Sequence, residues 1–160
     1  MRLQRLTDVR KVLIVFLIAT TVFVVYLFVA KPRPRIFYKS MSYSEGKAFE
    51  LYRENRRAGA PWTRDATEIA LLLVHGCNHK ANIGSDCFNP TRLEVYEHGA
   101  KRTTVIIVDD PIRDDDSIAA EEARLDFVKA PDGAWDLEWS GGRWRCQRSG
   151  SDWWTTSLCD

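Results

Sequence analysis

The feature that most constrains this chain is an uncharged apolar run at residues 12–30, "VLIVFLIATTVFVVYLFVA". As an α-helix this run would be roughly 28 Å long, close to the hydrocarbon thickness of a bilayer. Lys11 and Lys31 bracket it, and its only polar groups are two threonines and one tyrosine hydroxyl. The run therefore predicts an N-terminal transmembrane helix and a single-pass membrane protein.

A cleaved signal peptide is the alternative explanation for the same run. Signal peptides have an apolar core of about 7–15 residues and small residues before the cleavage site. The best candidate site here, at residues 28–30, has Phe28 where a small residue is needed. We therefore expect an uncleaved signal-anchor.

Charge divides the chain into two parts. Residues 1–39 contain eight Lys/Arg and one Asp, a net charge of +7, whereas residues 40–160 contain fifteen Lys/Arg and twenty-one Asp/Glu, a net charge of −6. Because phosphate neutralisation supplies most nucleic-acid affinity, the acidic part is not expected to bind nucleic acid. The predicted organisation is a cytoplasmic basic tail (1–11), a transmembrane anchor (12–30), a Pro/Arg stalk (31–40) and an extracytoplasmic α+β domain (41–160).

The four cysteines, Cys77, Cys87, Cys146 and Cys159, all lie in the C-terminal part. An even number in a small domain suggests disulfides and an oxidising compartment. Three connectivities are possible, and we favour the local pairs Cys77–Cys87 and Cys146–Cys159. Basic residues flank the apolar run almost equally, so the cysteines and the short N-terminal tail decide the orientation. We expect a protein of the bacterial inner membrane with its N-terminus in the cytoplasm and its C-terminal domain in the periplasm.

Two helices are expected at the start of the domain. Ser42 and Glu45 form a capping-box pattern, and Gly59 ends the helix that follows. A second helix is expected to start after Thr63 and to run to His75, with a buried strand as the alternative for its apolar run at 69–74.

The remaining sequence predicts strands. Residues 92–108 are typical of two strands around a turn at 98–99, followed by a polar loop at 109–117. One helical turn is expected before a strand at 124–129, and a turn at 131–133. The fold class is thus α+β, with about two helices followed by a roughly five-stranded antiparallel meander. This element order resembles that of cystatin-like and NTF2-like folds.

A two-residue hairpin loop at 141–142 is expected to join the last two strands. It would oppose Trp139 to Trp144, Leu137 to Cys146 and Glu138 to Arg145, which gives one apolar face and complementary charges on the other. The predicted apolar face consists of Trp135, Leu137, Trp139, Trp144 and Cys146.

The last 26 residues contain five of the six tryptophans. Trp153 and Trp154 are adjacent, so both can hardly point inward from an extended chain. Aromatic rings bind sugars and are enriched at protein interfaces. We therefore predict a binding patch made of Trp153, Trp154, Arg143 and Arg145.

Metal binding and catalysis are less favoured. His75 and His79, with Cys77 and Cys87, are a weak candidate for zinc, because their spacing matches no familiar module. The aspartates of residues 109–116 suit a solvated loop better than a calcium site, and the carboxylates of Asp136 and Glu138 are better explained by charge pairing than as a catalytic pair. No cofactor and no enzymatic activity are expected.

The sequence thus predicts a non-catalytic, membrane-anchored module that binds a protein of the cell envelope. The alternative is a module that binds envelope glycan such as peptidoglycan, in an aromatic groove near Arg143, Arg145 and Asp152. A metalloprotein or hydrolase is the least favoured hypothesis.

Overall fold

The computed structural model describes residues 2–29, 32–41, 43, 46–76, 90–110, 117–147, 153–157 and 159. The chain forms two compact units, Met1–Pro34 and Arg35–Asp160. Residues 35–40, predicted as part of the stalk, therefore belong to the folded domain. They form a 3₁₀ turn at Arg35–Phe37 and strand β1 at Lys39–Ser40.

The first unit contains helix α1, Arg2–Val29. Its large apolar side chains from Val12 to Tyr26 are 49–71% exposed. Within the described residues, no helix meets the length and apolarity required to cross a membrane. The transmembrane segment predicted at 12–30 is therefore not confirmed.

Two helices begin the second unit. Helix α2 spans Lys47–Arg57 and has Gly46 at its N-cap with no side-chain cap, so it starts later than the capping-box pattern predicted. Ser42 and Glu45 lie outside the described residues. Helix α3 spans Ala66–His75, which confirms a helix rather than a strand for the apolar run. The Asp65 carboxylate accepts from the first backbone N–H groups of α3 (3.0 and 3.4 Å), and Gly76 ends it in the left-handed conformation at φ 68°.

An antiparallel sheet follows, with strands β2 (Arg92–Glu97), β3 (Arg102–Asp109), β4 (Ile118–Lys129), β5 (Trp135–Cys146) and β6 (Trp154–Thr155). The order is β1-β5-β4-β3-β2, and β6 pairs with β5 beside β1. Each of β2 to β5 pairs with the next strand along the chain, so the α+β class and the antiparallel meander are confirmed.

The first correction concerns β4. The helical turn predicted before residue 124 is wrong, because residues 118–129 form one strand. Its alternation explains this: Ala123, Leu125 and Phe127 face the helices, while Glu122 and Arg124 face the opposite side. Both sets are buried, and residues 121–128 pair with β3 on one edge and with β5 on the other.

The second correction concerns β5. The hairpin predicted at 141–142 is wrong, since both glycines lie in the middle of one long strand. They pair with Arg124 and Ala123 of β4 on one edge and with β1 on the other. The predicted pairs between Trp139 and Trp144, Leu137 and Cys146, and Glu138 and Arg145 therefore do not form.

Large side chains explain the two glycines. A Cβ at Gly141 would lie 2.3 Å from Cη2 of Trp139 and 2.9 Å from the carbonyl oxygen of Lys39. A Cβ at Gly142 would lie 2.3 Å from Sδ of Met41. The glycines thus allow close approach within a sheet rather than a turn.

The apolar core lies between the helices and one face of the sheet. It joins α2 and α3 to the inward residues of β3 and β4. Trp135 and Leu137 pack against it as predicted, and Trp144 is buried (5% exposed), but Trp139 lies on the other face. That other face is where the charged residues of the sheet are concentrated.

Candidate binding surface

The face of the sheet opposite the helices buries ions as well as apolar groups such as Ile106 and Val108. Glu122, Arg124 and Asp126 of β4 and Arg143 of β5 are between 2% and 8% exposed. Burial of a charge is costly unless it is paired and hydrogen-bonded, so each of these groups requires a partner.

Glu122 lies between two partners. Its Oε2 accepts from Nη2 of Arg143 at 2.6 Å, and its Oε1 accepts from the hydroxyl of Tyr38 at 2.5 Å. Burial and the neighbouring carboxylate raise the pKa of Tyr38, so the phenol remains a donor at all ordinary pH values. The segment before β1 is thereby fixed to the centre of the sheet.

Three side chains donate hydrogen bonds to the carboxylate of Asp126. Nε of Arg124 (2.9 Å) and the hydroxyl of Thr104 (2.7 Å) reach Oδ1, and Nε of Arg35 reaches Oδ2 at 2.6 Å. Burial acts to raise the pKa of Asp126, but these hydrogen bonds outweigh it and hold the pKa below its usual value. Arg35 also donates to Glu138 at 2.7 Å, as does Arg102 at 2.6 Å.

Guanidinium groups and aromatic rings alternate across this face. We call this row the arginine–aromatic ladder; in order it contains Trp139, Arg124, Tyr38, Arg143, Trp154 and Arg145. Successive guanidinium carbons and ring centroids are 5.8, 5.6, 5.0, 4.8 and 5.9 Å apart. These distances are within the range of cation–π attraction.

Three of the four residues of the predicted patch belong to this ladder. Strand β6 pairs Trp154 with Arg145, and the disulfide Cys146–Cys159 holds the end of the chain beside β5, as predicted. Arg143 is buried in its pair with Glu122, so it does not contribute an open surface. Arg145 is partly exposed and donates to Asp110 at 2.9 Å.

Trp153, the fourth residue of the patch, is different. It is 77% exposed, whereas Trp154 beside it is half-buried over Arg143. The two adjacent rings are thus not both turned inward. The exposed indole of Trp153 thus adjoins a ladder whose buried arginines are paired with Asp126 and Glu122.

The metal candidates are not brought together in the described part of the chain. His79, Cys77 and Cys87 lie outside the described residues, and so does the predicted Cys77–Cys87 disulfide. Among the described residues, no group of three or more His, Cys, Asp or Glu side chains is arranged to hold a metal. His75 instead has its Nε2 3.4 Å from Oδ2 of Asp109.

The acidic run at 109–116 is only partly described. Asp109 ends β3 near His75, and Asp110 pairs with Arg145, so these two have separate partners. Asp114, Asp115 and Asp116 lie outside the described residues. Glu121, which pairs with Asp109 across the strands, has its pKa raised by burial and then by that carboxylate.

The sequence analysis missed the residues that organise this surface, namely Arg35, Tyr38, Glu122, Arg124 and Asp126. A signal was available in residues 122–127, where charged and apolar residues alternate with a period of two. This pattern is typical of a strand with one charged face. The contribution of Arg35 and Tyr38 depends on contacts with residues far along the chain.

Comparison with known proteins gives no match with a family of sequences, a curated protein or a solved structure. The resemblance in element order to cystatin-like and NTF2-like folds therefore stays a prediction.

Proposed function

We propose that this chain is a non-catalytic interaction module that binds another protein of the bacterial cell envelope through the surface around Trp153. The observation that carries the proposal is the exposure of this indole, at 77%. Tryptophan is enriched at the energetic centres of interfaces because its large rigid ring buries much apolar area at little entropic cost.

The surroundings of Trp153 support this role. The ladder orders Trp154 against Arg143, and the disulfide Cys146–Cys159 constrains the segment that contains Trp153. A segment that is ordered before binding loses less entropy when a partner is bound. The two buried arginines of the ladder are paired with carboxylates of the same sheet, Arg124 with Asp126 and Arg143 with Glu122. They therefore need no ligand to neutralise them.

We further propose that α1 anchors the module in the inner membrane, with its C-terminal unit in the periplasm. The uncharged run at 12–30 and the exposed apolar side chains of α1 support this proposal. Thr20 and Thr21 donate to backbone carbonyls of the preceding turn at 2.8–2.9 Å, so their hydroxyls would be satisfied in lipid. The disulfide suits an oxidising compartment.

Affinity purification of the full-length chain from detergent-solubilised envelopes tests the binding surface. We expect a defined partner to co-purify with the wild type and with the control Lys101→Ala, an exposed residue of the β2–β3 connection. Trp153→Ala should lose that partner without a change in melting temperature. Equal recovery of the partner with the wild type and with Trp153→Ala would overturn the proposal. If Trp153→Ala instead reduces retention of the protein on isolated cell wall, the glycan alternative is favoured.

Alkaline extraction of native membranes tests the anchor separately. The wild type should remain in the membrane pellet, and Phe16→Lys/Val22→Lys should be released, because a lysine at the centre of a membrane helix costs about 3 kcal/mol. Recovery of the wild type in the soluble fraction would contradict the anchor but not the binding surface.

A further inference from the structure

An open cavity of about 280 Å³ lies between α2 and the start of β5, separate from the ladder. Phe49, Tyr52 and Leu137 form its apolar floor. Residues 49, 52, 53, 56 and 57 of α2 all line the cavity, and their spacing places them on one face of the helix.

The floor of the cavity is preformed. Tyr52 is 4% exposed and its hydroxyl donates to the carbonyl oxygen of Trp135 at 2.7 Å. The ring of Phe49 packs against that of Tyr52, with centroids 5.9 Å apart. The guanidinium carbon of Arg53 lies 5.9 Å from the centroid of the Phe49 ring, so an occupant would meet an ordered apolar floor with this cation at its side.

The rim of the cavity is positively charged. Arg56 donates to both carboxylate oxygens of Asp132 (2.6 and 3.2 Å) and to Asp136 (3.0 Å), so its charge is compensated. Arg53 and Arg57 are exposed, and neither has a carboxylate partner among the described residues. The rim thus presents two uncompensated cations beside an apolar floor.

We propose that this cavity binds an apolar side chain of a partner protein that is flanked by carboxylates. Its volume of about 280 Å³ is below the range of small-molecule sites, roughly 300–1,000 Å³, which suits one inserted side chain better than a whole ligand. The net charge of residues 40–160 is negative, so most of the domain repels an acidic segment, whereas Arg53 and Arg57 at the rim of the cavity attract it. This site is independent of the Trp153 surface and extends the proposed function.

Fluorescence anisotropy with labelled five-residue peptides tests the proposal on the full-length chain in detergent micelles. The probe has the sequence Gly-Asp-Phe-Asp-Gly, with Gly-Asp-Ala-Asp-Gly and Gly-Lys-Phe-Lys-Gly for comparison. The wild type should bind the probe at least about tenfold more tightly than either comparison peptide, and 0.5 M salt should weaken its binding.

Two double variants locate the binding. Arg53→Glu/Arg57→Glu should weaken binding of the probe at least about tenfold, whereas Lys39→Glu/Lys101→Glu, with the same change in net charge outside the cavity, should leave it unchanged. Leu137→Ala should weaken binding of the phenylalanine probe but not of its alanine counterpart. Equal binding of the three peptides by the wild type, an equal effect of the two double variants, or no binding at millimolar protein would overturn the proposal.

Discussion

The two faces of the sheet are buried in different ways. The face toward α2 and α3 is covered by aliphatic and aromatic side chains of the core. The opposite face carries the side chains of Tyr38, from the segment before β1, and of Trp154 of β6. It also buries the charged side chains of Glu122, Arg124, Asp126 and Arg143, beside Ile106 and Val108. One strand, β4, contributes to both, with Phe127 on the first face and Glu122 on the second.

This difference indicates which face contributes most to the free energy of unfolding and which face determines the arrangement of the attached segments. Apolar burial stabilises roughly in proportion to area and tolerates changes of geometry. Buried ion pairs offset their own desolvation only when the geometry is right, so they favour one arrangement of the covering segments over others. We therefore expect the helix face to dominate the free energy of unfolding and the ladder to determine how both ends of the domain are attached.

The largest effect is expected on the helix face. Phe127 is 1% exposed, and Phe127→Ala should lower the free energy of unfolding by about 4 kcal/mol, through lost apolar burial and the cavity left behind. Urea denaturation of the full-length chain in detergent measures this. The control Val95→Ala, on a strand residue that is 48% exposed, should cost far less. Similar costs for the two variants would contradict the placement of the core.

The next effect is expected at the centre of the ladder. Glu122→Ala leaves the guanidinium of Arg143 buried without its carboxylate and should cost about 3 kcal/mol. Glu122→Leu/Arg143→Met removes both charges and should cost much less than the single change. Denaturation of the three proteins side by side is the measurement. A double variant at least as unstable as the single one would show that the ion pair stabilises the fold outright.

The disulfide should contribute a comparable amount. Cys146 and Cys159 are 13 residues apart, and a bridge that closes such a loop stabilises by about 3 kcal/mol in the chain-entropy treatment. Cys146→Ser/Cys159→Ser should lower the melting temperature, and reductant should lower that of the wild type by at least as much, because it also breaks the predicted Cys77–Cys87 bridge. If reductant has no effect on a protein shown to be reduced, the bridge does not hold β6 in place.

The smallest effect is a difference in pH dependence between the two faces. The folded pKa of Glu121, near Asp109 on the helix side, is raised, so its ionisation disfavours folding. This cost is absent below the unfolded pKa of about 4.3 and grows as the pH rises through the folded pKa. Glu121→Gln should therefore be more stable than the wild type at pH 8 and not at pH 4.

Asp126 on the ladder gives the opposite sign. Its folded pKa is lowered, so its contribution to stability is present above the unfolded pKa of about 3.9 and is lost as the pH falls through the folded value. Asp126→Asn should therefore be destabilised at neutral pH and approach the wild type in acid. Denaturation curves between pH 2 and pH 8 give the free energy of unfolding of each variant relative to the wild type. If these differences changed with pH in the same way for both variants, the assignment of charges to the two faces would be contradicted.

Local patterns predicted much of the fold. The apolar run before Gly76 predicted α3, and the residues around position 98 predicted the β2–β3 hairpin. An even number of cysteines predicted disulfides, and the preference for local pairs among three connectivities predicted the Cys146–Cys159 bridge. These features depend on residues that are close in sequence, so propensity and spacing are sufficient to find them.

The ladder could not be predicted in the same way. Two adjacent glycines ordinarily indicate a turn, but Gly141 and Gly142 make room for Trp139 and Met41. Met41 and its neighbours reach β5 from about a hundred residues earlier in the chain, as the hydrogen bond from Ser140 to the Met41 carbonyl shows. Strand β6 and the disulfide, which join distant parts of the chain, place Trp154 beside Arg143 and Arg145.

Site-specific photo-crosslinking in living cells tests the proposed function most directly. A photoreactive aromatic residue would replace Trp153, Trp154 or the control Lys101 in the full-length chain, and adducts would be identified by mass spectrometry. We expect one dominant protein adduct from position 153 and none from position 101. Position 154, whose ring lies over Arg143, should give little or none. No protein adduct from position 153, or the same adducts from position 101, would contradict the account.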